Sequence, residues 1–111
     1  MTADDEFAAV MEALRAEYRA DLAQQIQAAV ALWAQATAAG MSPGSLSELV
    51  RSLHKMAGAA GTFGFDRVSE LAADAEARLV ACCERETAPA PDQRAAVDAL
   101  IGELRAELPQ A

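Results

Sequence analysis

The chain has 111 residues, with 17 acids against 9 bases and a formal charge of −8. That length suits one domain with one modest core, and that charge leaves no electrostatic footprint for DNA or RNA. Hydrophobic residues make up 53% and only 5% are aromatic. Alanine dominates the apolar set and is the best intrinsic helix former, so composition points to an all-α fold. Asp4, Asp5 and Glu6 stand where the basic start of a signal peptide would be. The uncharged stretch from Leu22 to Ser47 is interrupted by four glutamines, Gly40, Pro43 and Gly44, which argues against a membrane span. A single domain over residues 1–111 in the cytoplasm is expected.

In chain order, Phe7, Val10, Met11, Leu14 and Tyr18 share one helical face. Leu22, Ile26, Ala29, Val30 and Trp33 form a face turned well around from it, and Asp21 with Gln24 could cap a new start. The pattern predicts a short helix over 3–20 and a second over 22–38, with one long bent helix as the alternative. Gly40 is a stop, and Met41 to Gly44 reads as a turn. The third helix starts at the capping box Ser45 to Glu48, or earlier at Ser42-Pro43, and runs to about Phe63 with Gly64 ending it. It buries Leu46, Leu49, Val50, Leu53, Met56, Ala57 and Ala60. A fourth helix begins near Asp66 as N-cap, with Val68, Leu71, Ala72, Ala75, Leu79 and Cys82 inward, until Pro89-Ala90-Pro91 breaks it. The last helix lines up Val97, Leu100, Ile101, Leu104 and Leu108. Short connections make consecutive helices antiparallel. The expected architecture is therefore an up-down four-helix bundle with an additional N-terminal helix.

The chemistry available is sparse. Cys82 and Cys83 are adjacent, and neighbouring side chains on a helix diverge by about 100°. They read as one small core residue and one boundary thiol, and with a single histidine there is no zinc-site spacing. That histidine is His54. Advancing 100° per residue from Leu53 places it at the border between core and solvent. Gly58 and Gly61 follow along its side, each costing about 1 kcal/mol relative to alanine in a helix. Clearance for another molecule explains them, as would close helix packing. No acid occurs between Glu48 and Asp66, and Arg51 and Lys55 fall in that gap. The neighbourhood suits an anion, with a phosphoryl group the obvious candidate.

A neutral imidazole is a workable nucleophile at phosphorus, giving a phosphoramidate that can pass the group on. The chain has neither a Gly-rich nucleotide loop nor a carboxylate cluster for Mg²⁺, so it could carry a phosphoryl group but hardly take one from ATP unaided. A histidine merely tolerated at a boundary position, beside an ordinary solvated basic face, fits the same residues.

His54-Lys55-Met56-Ala57-Gly58, continued by Ala59-Ala60-Gly61-Thr62-Phe63-Gly64-Phe65, resembles the signature of histidine-containing phosphotransfer (HPt) domains of two-component phosphorelays. The Ala-Gly-Thr-Phe-Gly-Phe run is similar to the phosphotransfer domains of chemotaxis-type kinases. Leu71, Ala72, Ala75 and Glu76 match the family's following helix. The departure is Ala57, where the family usually has lysine.

The resemblance implies a carrier, not an enzyme with its own ATP site. His54 would be phosphorylated at Nε2, Gly58 would give access, and Gly64 would allow the turn. Lys55 or Arg51 would supply the missing positive charge. A response-regulator receiver domain or a hybrid histidine kinase would be the partner, docking around Met56, Gly61 and Arg67. No cofactor is expected on this chain, Mg²⁺ being expected on the receiver. Nucleic acid and membrane are not expected partners. A non-phosphorylated helical adaptor and the phosphotransfer module of a chemotaxis-like kinase are the competing readings.

Overall fold

A computed structural model describes residues 2–38 and 43–108. Among the described residues there are four helices: α1 Ala3–Thr37, α2 Pro43–Thr62, α3 Asp66–Arg85 and α4 Pro91–Ala106. Each packs on two neighbours, α1 on α2, α2 on α3, α3 on α4 and α4 back on α1, so the bundle closes as a ring. The common core runs from Leu22, Ile26 and Trp33 of α1, through Leu53 of α2 and Leu79 of α3, to Leu104 of α4. The all-α bundle is as the hydrophobic pattern predicts.

The additional N-terminal helix is not a separate element, because α1 is continuous over 35 residues. No glycine or proline occurs before Gly40, and the segment is rich in alanine, so nothing interrupts the backbone ladder. Asp21 lies inside this helix and exposed, rather than capping a new one. The real start is at Thr2, whose hydroxyl accepts from the Asp5 amide while the Asp5 carboxylate accepts from the Thr2 amide. Asp4, Asp5 and Glu6 in the first turn complement the helix dipole. The two apolar faces are turned by about 90° at 100° per residue. One helix accommodates that drift because its two halves meet different surroundings. From Tyr18 onward it is packed in the bundle, whereas Phe7, Val10 and Leu14 are 68%, 57% and 42% exposed. At 1.5 Å per residue α1 is about 52 Å long against about 30 Å for α2 and α3. The overhang gives the molecule its 58 × 29 × 21 Å extents.

The other helix ends show where local chemistry wins. The expected stop at Gly40 and the Ser42 start lie outside the described residues. Pro43 and Gly44, expected in a turn, instead open α2, so Ser45 is inside the helix and not its cap. At the far end Gly64 adopts φ +82°. The Phe65 amide donates to the Ala60 carbonyl at 2.8 Å and the Gly64 amide to Gly61 at 3.2 Å. These bonds close a left-handed C-cap of the kind glycine permits. Phe65 is then the only residue left between the turn and α3, and it takes the N-cap position without a side-chain bond. Asp66 is accordingly the first helical residue rather than the cap. Helix α3 ends at Arg85 through Glu86 in the left-handed region, several residues before the prolines, and Pro91 starts α4.

Candidate functional site

His54 stands on the middle of α2 with its side chain 75% exposed. Leu53 and Met56 on the same helix are fully buried in the bundle core, which fixes the helix rotation and leaves His54 outside it. From α3, Glu76 reaches across, and its Oε2 lies 2.8 Å from His54 Nδ1. An ionised carboxylate only accepts, so Nδ1 carries the proton and donates it. Nε2 is left as the ring nitrogen with a lone pair. Glu76 is only 24% exposed, set at the α2–α3 border beside buried Ala72 and Ala75. This contact orients the ring and selects its tautomer.

The surroundings of His54 differ from side to side. A Cβ built on Gly58, one turn further along, would meet nothing within 4 Å, so this glycine borders open space beside the imidazole. A Cβ on Gly61 would instead stand 3.2 Å from the Ser69 hydroxyl of α3. That hydroxyl donates to the Ala57 carbonyl at 2.7 Å. Gly61 therefore serves close helix packing, and Gly58 is the one that leaves room. Ala57 is half-buried at the α2–α3 contact. Arg51 and Lys55 are exposed and line, with Glu48 and Ser52, a shallow depression of about 290 Å³ on the next face of α2. Neither forms an ion pair among the described residues, so both are free to meet an incoming anion.

Two residues expected in a docking patch are placed elsewhere. Met56 has no exposed surface and packs in the core, because it falls on the buried stripe with Leu49, Leu53 and Ala60. It cannot touch a partner. Arg67 points to α4, 3.3 Å from Glu103 and 3.7 Å from Glu107, and so does not rim the imidazole. Conversely, Glu76 matched the family pattern in the sequence without revealing its contact. An acid one residue after Ala75, at the edge of the buried stripe, is the only trace the sequence offers of it. Pairing with His54, 22 positions earlier, is visible only once α2 and α3 are in register. Cys82 and Cys83 are both half-buried, Cys82 against the core and Cys83 with its Sγ 3.1 Å from the Ser47 hydroxyl, so neither is the fully buried core residue expected of one of them.

A bundle with one solvent-facing histidine on its second helix, held at Nδ1 by a carboxylate from the third, defines a class of small helical phosphotransfer modules. The chain matches the family model of the Hpt domain over residues 6–108 and belongs to that family. Hpt domains are phosphoryl carriers of phosphorelays and interact with receiver domains and kinases. Comparison with curated proteins and with solved structures gave no match. No helix among the described residues is long and apolar enough to cross a membrane.

Proposed function

We propose that His54 is the phosphoryl acceptor and donor of this domain, taking the group from a receiver aspartate or a kinase and returning it to a response-regulator receiver. The observation that carries the reading is the Glu76 contact, which takes up Nδ1–H of the neutral ring and so puts the lone pair on Nε2 of a side chain that is 75% exposed. In the forward step the Nε2 lone pair attacks phosphorus of an aspartyl phosphate. The P–N bond forms as the P–O bond to the aspartate breaks, and the aspartate leaves as a carboxylate. The imidazole gains positive charge as it bonds to phosphorus, and the Glu76 carboxylate at Nδ1 stabilises it. The reverse step uses the same groups.

Ala57 cannot offer the cation that lysine brings to most family members at this place. Arg51, three residues before His54, and Lys55, directly after it, are the cations of this face, and we assign them to the phosphoryl oxygens. We place Mg²⁺ on the receiver and the working site in the cytoplasm. The receiver would dock on α2 and α3 around His54 and Gly58.

The experiment is incubation with a phosphorylated receiver panel, followed by an acid and base stability test of the label. An acid-labile, base-stable label that His54→Gln abolishes is expected. Absence of label with every receiver and kinase tried would favour a binding-only adaptor. Arg51→Ala and Lys55→Ala should each slow transfer several-fold, and unchanged rates in both would remove them from the phosphoryl site.

A further inference from the structure

We propose that the overhanging N-terminal third of α1 is a self-association surface, on which a second copy of this chain docks antiparallel. Phe7, Val10, Leu14 and Val80 are the exposed large apolar side chains among the described residues, and three of these four lie on this one stripe. Among the described residues nothing covers them, because α2 stops and α3 starts near Tyr18, where Phe63 stacks on its ring at 4.8 Å.

The order of residues on the overhang fits its own reverse. Two α1 helices laid antiparallel about the midpoint between Val10 and Met11 set Phe7 against the partner's Leu14, and Val10 against the partner's Met11. Both contacts recur by the two-fold axis, as an isologous interface requires.

Charge supplies the second argument. In this register, Asp4 falls between the partner's Arg15 and the partner's Arg19 on the flank that carries the bundle. Arg15 and Arg19 lie over the Phe65 ring at 4.9 and 5.7 Å. Among the described residues neither has an ion pair, and the buried Arg15 Nε has no hydrogen-bond partner. Asp4 is likewise without an ion pair there. On the opposite flank Glu6 comes beside the partner's Glu17, a repulsion that keeps the association moderate. In this register the two bundles extend in opposite directions from the crossing. Contact is limited to about 24 Å of helix, at the small end of specific interfaces, so the dimer is reversible and depends on concentration. His54 lies about 14 Å further along the bundle than Phe63, outside this contact.

The proposal is independent of the phosphotransfer reading and is tested on the full chain by sedimentation equilibrium over a concentration series. Wild type should show a monomer–dimer equilibrium. Val10→Glu, a change at an exposed position, should raise the dimer dissociation constant at least roughly tenfold with helicity unchanged. Glu17→Arg should tighten the dimer, because it turns the one repulsive pair into an attractive one. Asp4→Arg should weaken it, and adding Arg19→Glu should restore it. A monomer at every concentration, indifference to Val10→Glu, or weakening by Glu17→Arg would each overturn the proposal.

Discussion

The carboxylate of Glu76 on α3 and the imidazole of His54 on α2 are joined at 2.8 Å through Nδ1, across the most extensively packed pair of helices in the bundle. Because the two backbones are locked together by the core beneath, the contact holds the ring without closing its outer edge. Glu76→Gln keeps an acceptor at the right place but removes the charge that, in the proposed function, would balance a phosphorylated ring. Phosphotransfer should fall by about tenfold or more, and Glu76→Ala should fall further. Nitrogen NMR of the imidazole provides the readout specific to positioning. Wild type should show the Nδ1-protonated tautomer, and Glu76→Ala should shift the ring toward the Nε2-protonated one. A tautomer unchanged by Glu76→Ala would show that this carboxylate does not set it.

The two glycines after His54 should respond oppositely to alanine. Gly58→Ala meets nothing within 4 Å and gains helix propensity, so it should stabilise the fold by about 1 kcal/mol. Its methyl group occupies the open space beside the imidazole, so transfer to a receiver should slow at the same time. Gly61→Ala has the same propensity gain. It must also push the Ser69 hydroxyl by a few tenths of an ångström and so strain its bond to the Ala57 carbonyl, which offsets the gain by up to about 1 kcal/mol. In a Ser69→Ala background the offset should vanish, and a double-mutant cycle by urea unfolding measures it.

Trp33 Nε1 donates to Asp98 Oδ1 at 2.5 Å, tying α1 to α4 at the least extensively packed edge of the ring. Asp98→Ala leaves the indole N–H without that acceptor and should cost about 1–2 kcal/mol. Asp98→Asn retains an acceptor and should recover most of it. Trp33 is the only tryptophan, so its fluorescence follows both unfolding and any local opening of this edge.

Tyr18 presents the reverse case, a buried hydroxyl with no hydrogen-bond partner among the described residues. Tyr18→Phe keeps the stack on Phe63 and removes the unpaired group, so it should stabilise the protein by about 1 kcal/mol. Burial, and secondarily the negative charge of Asp21, raise the phenol pKa above its ordinary 10.0. The folded state therefore prefers the neutral phenol more strongly than the unfolded chain does. That preference is fully present below pH 10 and is lost as pH rises through the raised folded value. Denaturation midpoints measured above pH 10 should fall less in Tyr18→Phe than in wild type.

Much of this protein was legible one residue at a time. Periods of three and four placed Leu46, Leu49, Leu53, Ala60, Leu79 and Leu104 in the core, and all are buried. Gly64 marked the α2–α3 turn because only a residue without Cβ adopts its positive φ freely. Local patterning goes wrong where a signal has a second use. Asp21 with Gln24 has capping-box spacing, yet it sits inside an uninterrupted helix, because an alanine-rich backbone gains more from continuing its ladder than from a cap. The apparent jump in phase after Tyr18 marks the point at which α1 enters the bundle, not a break.

Amino-acid order by itself determined the helical class, the buried stripe, the lone histidine on its border and the family resemblance, because these depend on spacing along one helix. Tertiary structure alone decided that Glu76 meets His54, that Gly61 rather than Gly58 is filled by a neighbour, that Arg67 belongs to α4, and that Phe7, Val10 and Leu14 face solvent. Each of these is a relation between two helices. Their axial register and rotation are set by the sum of many core contacts, which no single segment encodes.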